Sequence, residues 1–284
     1  MIIDKRIIDE ALNFYNIDLQ YKDKCYNCVE EINKKEKLNL TFLNLYEKLY
    51  IEEFTKIKEL WHYKDVDDLF AHNTNSFVTN IMILIGYHYH QENMKKHNFN
   101  DVQINIHKKR VKECFEYDLK VRKRDGVRVS QMLWAIYFIR TKIIEIGSLQ
   151  FECDSDSVVK IHIPKNTDLN IFSVKESIKK ATIEMKQIYS MNSFKYICNS
   201  WLLSEQIYEI VDKNSNISKF YELFDVAEGE ECINDILNFV YGIDQCEDYS
   251  SLPTNTTLQS NIKVKLLNGE SFYLGLGILK ENAV

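Results

Sequence analysis

The chain has 284 residues, of which 45% are hydrophobic and 27% charged, with 36 basic and 42 acidic side chains giving a net charge of −6. This length can bury a sizeable core and suggests two domains. The composition is that of a globular protein, and the slight acidity excludes a global attraction to nucleic acid or to an anionic membrane. Seven scattered cysteines, an odd number, fit a reducing compartment better than a disulfide framework. The opening "MIIDKRIIDEALNFY" has acids among its apolar residues and no small-residue cleavage site, unlike a signal peptide. The most apolar run, "FVTNIMILIGYHYH", is too short to span a bilayer. A cytoplasmic protein with no membrane and no nucleic-acid partner is expected, its oligomeric state left open.

The first 124 residues read as helices. Leu38, Phe42, Leu45 and Leu49 recur at helical spacing, and Phe54, Ile57 and Trp61 continue a similar stripe. Phe77, Ile81, Leu84 and Ile85 suit a buried helix. Ile104, His107, Val111, Cys114 and Leu119 follow an Asn100–Asp101 start signal. Around the single glycine of "KVRKRDGVRVS" the chain is expected to connect to a last helix, Ser130 to Glu145, with Gly147 as its stop. Residues 1–124 and 125–284 are thus the two expected domains.

From there the pattern mixes strands and helices. "LQFEC" and "VVKIHIP" alternate as strands around "DSDS", which predicts a hairpin. Ser173 with Glu176 forms a capping-box signature, and Val174, Ile178, Ala181, Met185 and Ile188 make one stripe suited to a sheet. Phe194 to Cys198 reads as a strand, followed by helices from Ser204 and around Ile217, Phe220 and Phe224. "DILNFVYG" alternates enough for a strand. The last segment reads as a helix stopped at Asn268–Gly269 and a strand, with a hairpin at Asn268–Gly269 as the competing reading.

Several groups could carry chemistry. His88 and His90, near His72 and His97, invite a metal reading, but a spacing of two points them in different directions on a helix and no cysteine or carboxylate completes a zinc pattern. Cys25 and Cys28 form a C-x-x-C without a second pair or a βαβ context, so packing is the reading there. No metal is expected. His162 alternates with Ile161 and Ile163 and so faces away from their buried side. A near-neutral imidazole suits a general base, and a hydrogen-bonded structural histidine is the plain alternative. Hairpin register decides whether Gln150 and Glu152 share its face. At the end of the next strand, Cys198-Asn199-Ser200-Trp201 could place a reactive thiol near a helix N-terminus, with His162 as its base, or could be turn, cap and core residues. Neither G-x-x-x-x-G-K-[ST] nor G-x-G-x-x-G occurs.

In order along the chain, "IGSLQFE", "IHIP" before a helix with "SIKKA", "CNSWLLSEQIYEIV", "SNISKF" and "LPTNTTLQ" resemble the C-terminal domain of a bacterial family of GNAT-like acyltransferases. In that family the blocks read approximately G-R-L-Q-F-E, H-I-P, C-H-S-W-L-L, S-N-I-x-x-F and L-P-x-x-T-x-L-Q. The likeness spans about residues 130–280. It implies an α+β protein, a helical N-terminal domain followed by a GNAT-like α/β/α domain with a mixed sheet. It also implies transfer of an acyl group from acyl-CoA or acetyl-CoA to an amine or hydroxyl of an unidentified small-molecule acceptor. On that reading His162 is the base, Ser200 or Cys198 the acid to the leaving thiolate, and Arg140 and Lys142, or the basic residues 120–128, meet the phosphates. Gln150, Glu152, Asn199 and Trp201 line the substrate. Two departures stand out. Asn199 replaces the family's histidine and cannot accept a proton near neutral pH, and the pyrophosphate pattern [RQ]-x-x-G-x-[GA] is missing. A non-catalytic small-molecule or protein-binding relative is the alternative.

Overall fold

The computed structural model describes residues 2–51 and 77–284, which divide into two compact units, 1–144 and 145–284. The expected stripe of Phe54, Ile57 and Trp61, and His72, lie outside the described residues.

The described part of the first unit is helical up to residue 139: α1 (Lys5–Phe14), α2 (Lys22–Lys34), α3 (Glu36–Tyr46), α4 (Val78–Ile85), α5 (Tyr87–Lys96), α6 (Asp101–Lys120) and α7 (Val129–Ile139). Asp4 caps α1 by accepting from the Arg6 amide, and Asn100 with Gln103 closes a reciprocal capping box on α6, the start read from the sequence. Tyr15, Phe42, Tyr50, Phe77, Phe115 and Phe138 are fully buried in its core. The helix expected to reach Glu145 stops at Ile139. Thr141 turns the chain at φ 51°, and the β-branched "IIEI" is drawn into the sheet as β1 (Ile143–Ile146). Gly147 is therefore not a helix stop but the tight residue between β1 and β2, at φ 62°.

The second unit carries a mixed six-stranded sheet in the order β1-β2-β3-β4-β6-β5. The predicted hairpin is β2 (Leu149–Ser155) and β3 (Val158–His162), antiparallel, with Phe151 opposite Ile161 and Gln150 opposite His162. Helix α8 (Ile171–Tyr189) carries the chain to β4 (Lys195–Ser200), parallel to β3. Its cap is Asn170, whose side chain accepts from the Phe172 and Ser173 amides, so Ser173 lies within the first turn and is not the cap. Val174, Ile178, Ala181 and Met185 of its stripe are buried, and Thr182 holds the Tyr196 hydroxyl at 3.0 Å.

A 3-10 turn (Trp201–Leu203) leads to α9 (Glu205–Ile210), capped by Ser204, and α10 (Asn216–Tyr221). Phe224 does not belong to that helix; it starts β5 (Phe224–Glu231), an edge strand whose acids hide its alternation. "DILNFVYG" is helical, α11 (Ile233–Ile236) continued by a π turn, because Ile236 and Leu237 must both reach the cluster around Phe272. Helix α12 (Thr257–Leu267), Gly269 at φ 79° and β6 (Tyr273–Leu279) follow the helix–stop–strand reading. β6 is antiparallel to both β4 and β5.

Candidate active site

The hairpin register sets the site. Residues directly opposite in a ladder share a face, and alternate residues along a strand do too. Gln150 and His162, and Glu152 and Lys160, therefore stand on one face, with Phe151, Val159 and Ile161 buried on the other. Glu152 Oε2 lies 2.7 Å from His162 Nε2, a diagonal contact across the hairpin. An imidazole that donates from Nε2 keeps its lone pair on Nδ1, the nitrogen able to take a proton. Glu152 is 3% exposed and its Oε1 has no hydrogen-bond partner among the described residues; Lys160 Nζ stands 4.0 Å from it while binding Asp154 at 2.7 Å. Gln150 donates to Glu145 at 2.8 Å. His162 thus sits, partly exposed, at the end of a buried polar row.

Beside it the sheet opens. The β3–β4 ladder runs from Val158 opposite Lys195 to Lys160 opposite Ile197 and ends there. β3 nevertheless continues to His162, held by Gln150, and β4 continues to Ser200, held by Gly275. The two parallel strands part between Ile161–His162 and Cys198–Ser200, leaving their facing main-chain edges outside the β3–β4 ladder.

Alternation along β4 then separates the other candidates. Asn199 is exposed and shares the face of Lys160 and His162, whereas Cys198 and Ser200 point to the helix-covered face. Cys198 is fully buried, and burial pushes its thiol up to about 12. It lies within a strand rather than at a helix N-terminus, so the expected acidification is absent, as is a Cys198–His162 pair. Ser200 Oγ accepts from the Leu202 amide at 3.1 Å and caps the 3-10 turn, while Trp201 packs against the Phe272 cluster. These two are the cap and core plug that the sequence offered as the plainer reading.

The expected phosphate ligands Arg140 and Lys142 fall in the first unit. Arg140 is buried and its Nη1 donates to the Leu49 carbonyl at 2.8 Å. In residues 120–128, Arg122 and Arg128 flank the fully buried Asp118, and Lys120 binds Glu116, so these three cations are tied to helix α6. Of the histidine cluster, His90 is buried in packing, its Nδ1 3.0 Å from the Tyr15 hydroxyl and its Nε2 3.4 Å from His107 Nδ1, whereas His88 is exposed with Nε2 3.8 Å from Glu10. Cys25 and Cys28 are buried on α2, where burial raises both thiols. Among the described residues no group of three or more His, Cys, Asp or Glu could hold a metal ion, and no helix is long and apolar enough to cross a membrane. Lys160 and Asp154 were missed in the sequence, although Lys160 alternates in step with His162.

Residues 143–279, nearly all of the second unit, match the family of GNAT-like C-terminal domains. The second unit belongs to that family. The GNAT-like fold extends to solved structures of like architecture. An acyltransferase in complex with decanoyl-CoA is 13% identical at a TM-score of 0.63, with 98% of this chain and 99% of that chain covered. Acyltransferase complexes with decanoyl-CoA and teicoplanin, and with CoA and 10C-teicoplanin, are each 14% identical at 0.64, with the same coverage. A search of curated proteins gives no significant sequence match. Position 199, where the resemblance read from the sequence places a histidine, is an exposed asparagine.

Proposed function

We propose that the protein transfers an acyl group from an acyl-CoA thioester to an amine or hydroxyl of a small-molecule acceptor. The observation that carries this reading is the parting of β3 and β4 with the His162–Glu152 pair at its edge. A thioester carbonyl lying in that opening would find main-chain amides no longer used by the β3–β4 ladder, positioned to polarise it. His162 takes the proton from the acceptor as its nitrogen or oxygen attacks, and Glu152 orients the ring. Attack is direct, because Cys198 is buried and protonated. The leaving thiolate takes up a proton; Ser200, turned to the other face, is less well placed for this than water.

The donor's phosphates need cations or amides in place of the missing glycine-rich loop. A groove of about 460 Å³ at the first turn of α8 is lined by Lys175, Lys219 and Lys280, with Ile171 and Glu222 among the other walls. These lysines fit the phosphates better than the buried Arg140 does. When bound, coenzyme A supplies an activated acyl group and a good leaving thiolate. The acyl-CoA and teicoplanin named for the fold relatives support a thioester donor and a small-molecule acceptor. Incubation of the purified protein with acyl-CoA and a panel of amines and alcohols tests the reading. Acceptor-dependent release of free thiol, with the acyl mass found on the acceptor, is expected; thiol release from no combination overturns it.

A further inference from the structure

Helix α8 presents two faces of unlike composition. Val174, Ile178, Ala181 and Met185 are buried along one of them. On the other, Phe172, Lys179, Ile183 and Lys186 recur at helical spacing, with Lys175 and Lys180 beside them. Phe172 is 78% and Ile183 57% exposed. Single exposed apolar residues are ordinary on a protein surface; here two share one stripe with four lysines, over roughly 20 Å of helix. Lys175, Lys180 and Lys186 make no ion pair or hydrogen bond with the described residues, and Lys179 is paired with Glu176 at 3.5 Å. Glu184 stands half-buried at the flank. By contrast Lys34 of α2 and Arg110 and Lys120 of α6 are each tied to an acid one turn away.

The stripe starts at the groove given above to the donor's phosphates. Ile171 and Lys175 line that groove together with Lys219 of α10, and its acids, Glu222 and Glu281, come from outside α8. Cations around exposed apolar anchors match the surface of an acidic protein, apolar contact giving affinity and opposite charge giving register and on-rate. They match a polyanion less well. Lysine rather than arginine carries the charge, and a duplex or an anionic bilayer extends past the stripe onto the remainder of a chain whose net charge is −6. A compact partner touches the stripe alone, and charges farther than about 8 Å away are screened. Two apolar side chains are also too few to anchor the helix in a membrane interface.

We propose that this face of α8 docks a small acidic protein that carries the acyl group as a thioester on a phosphopantetheine arm, so that carrier-borne acyl groups are donors beside those of coenzyme A. This rests on the acyl-transfer reading above. The two donors share the pantetheine thioester and the phosphate that ends it. Beyond that phosphate one has a nucleotide and the other a protein surface, and the stripe lies beside the lysines that receive the phosphate. The chemistry is unchanged. The acceptor's nitrogen or oxygen bonds to the acyl carbon and gives its proton to His162, the C–S bond breaks, and the carrier's thiolate takes up a proton.

The probes are a bacterial acyl carrier protein, acylated and as the unacylated phosphopantetheine form, and the acyl-CoA of the same chain, each with the acceptor panel above. Wild type is compared with Phe172→Ser/Lys179→Gln/Lys180→Gln/Lys186→Gln. All four side chains are exposed and lie outside the groove, and glutamine keeps the helix preference, so the variant is expected to fold. Wild type should release thiol from the acylated carrier. In the variant kcat/KM for that donor should fall about tenfold or more, mainly through KM, while the value for acyl-CoA stays within about twofold. Turnover of acyl-CoA but not of the acylated carrier, or carrier turnover equal in the two proteins, overturns the proposal and leaves the acyl-transfer reading standing. If neither donor releases thiol, that reading fails instead, and calorimetric titration with the unacylated carrier decides. Binding weakened about tenfold in the variant sustains an acidic-protein face; binding that is absent or unchanged ends it. Phosphatidylglycerol vesicles or duplex DNA bound by wild type and released by the variant, with no carrier binding, also overturn the proposal and give the face to a polyanion.

Discussion

Lowering the pH should destabilise the helical unit through its buried imidazoles. His107 is 1% exposed, its Nδ1 shared between the Phe138 carbonyl at 3.2 Å and His90 Nε2 at 3.4 Å, and its Nε2 is buried without a hydrogen-bond partner among the described residues. Burial, helped by His97, pushes it down to about 4, against the Phe138 carbonyl that favours the charged ring. His90, beside it, is pushed down too, by burial and then by His107 and Lys108. The sign follows from proton counting. Between pH 6.5 and about 4 the unfolded chain holds a proton on His107 that the folded protein refuses, so stability falls as pH drops through that window and flattens below it. A depression from 6.5 to about 4 corresponds to about 3 kcal/mol, with His90 adding in the same direction. Urea melts from pH 7.5 to 4, followed by tryptophan emission in a Trp201→Phe background, keep the readout on Trp61 and Trp134 of the first unit. His107→Phe, whose ring fits the edge contacts to Phe99 and Phe138, should remove the His107 share of that pH-dependent loss and leave the His90 share. A wild-type curve flat across the window, or an equally steep one in His107→Phe, would refute the reasoning.

Two further substitutions separate packing from chemistry. Cys198→Ala should cost about 1 kcal/mol of stability and leave turnover by the folded protein unchanged, and iodoacetamide should label Cys198 in wild type only on unfolding; rapid labelling of the native thiol would contradict its burial. Gly275→Ala forces a methyl group against the main chain of Leu203, so urea melts should show a loss of about 2 kcal/mol or more; an unchanged midpoint would mean that β6 is not locked by its glycines.

How much of this the sequence carried depends on the range of the interaction that decided each element. The helix start at Asn100 and the stop at Asn268–Gly269 are local, and both were readable. The start of α8 was displaced because two capping residues, Asn170 and Ser173, lie within one turn and only the folded loop chooses between them. β1 and β5 were lost for non-local reasons: "IIEI" continues a helical apolar run until strand pairing claims it, and "FDVAEGEE" alternates too weakly to be read. The face of His162 followed from alternation with Ile161 and Ile163. Its partner did not, since Glu152 reaches it only in the register that sets Gln150 opposite His162, and a slip of one residue would have reversed the answer. Cys198 and Ser200 misled because a residue's place at a strand end says nothing of the face it occupies. The family likeness carried the architecture without fixing which of its residues act.

The most direct test of the central claim is the rate of acceptor-dependent thiol release from an acyl-CoA by wild type, His162→Gln and Glu152→Gln, with melting midpoints confirming that each is folded. The account predicts a fall of roughly 10²- to 10⁴-fold in kcat for His162→Gln, with the KM for acyl-CoA little changed, and a smaller fall for Glu152→Gln. Wild-type turnover retained by a folded His162→Gln protein would contradict it.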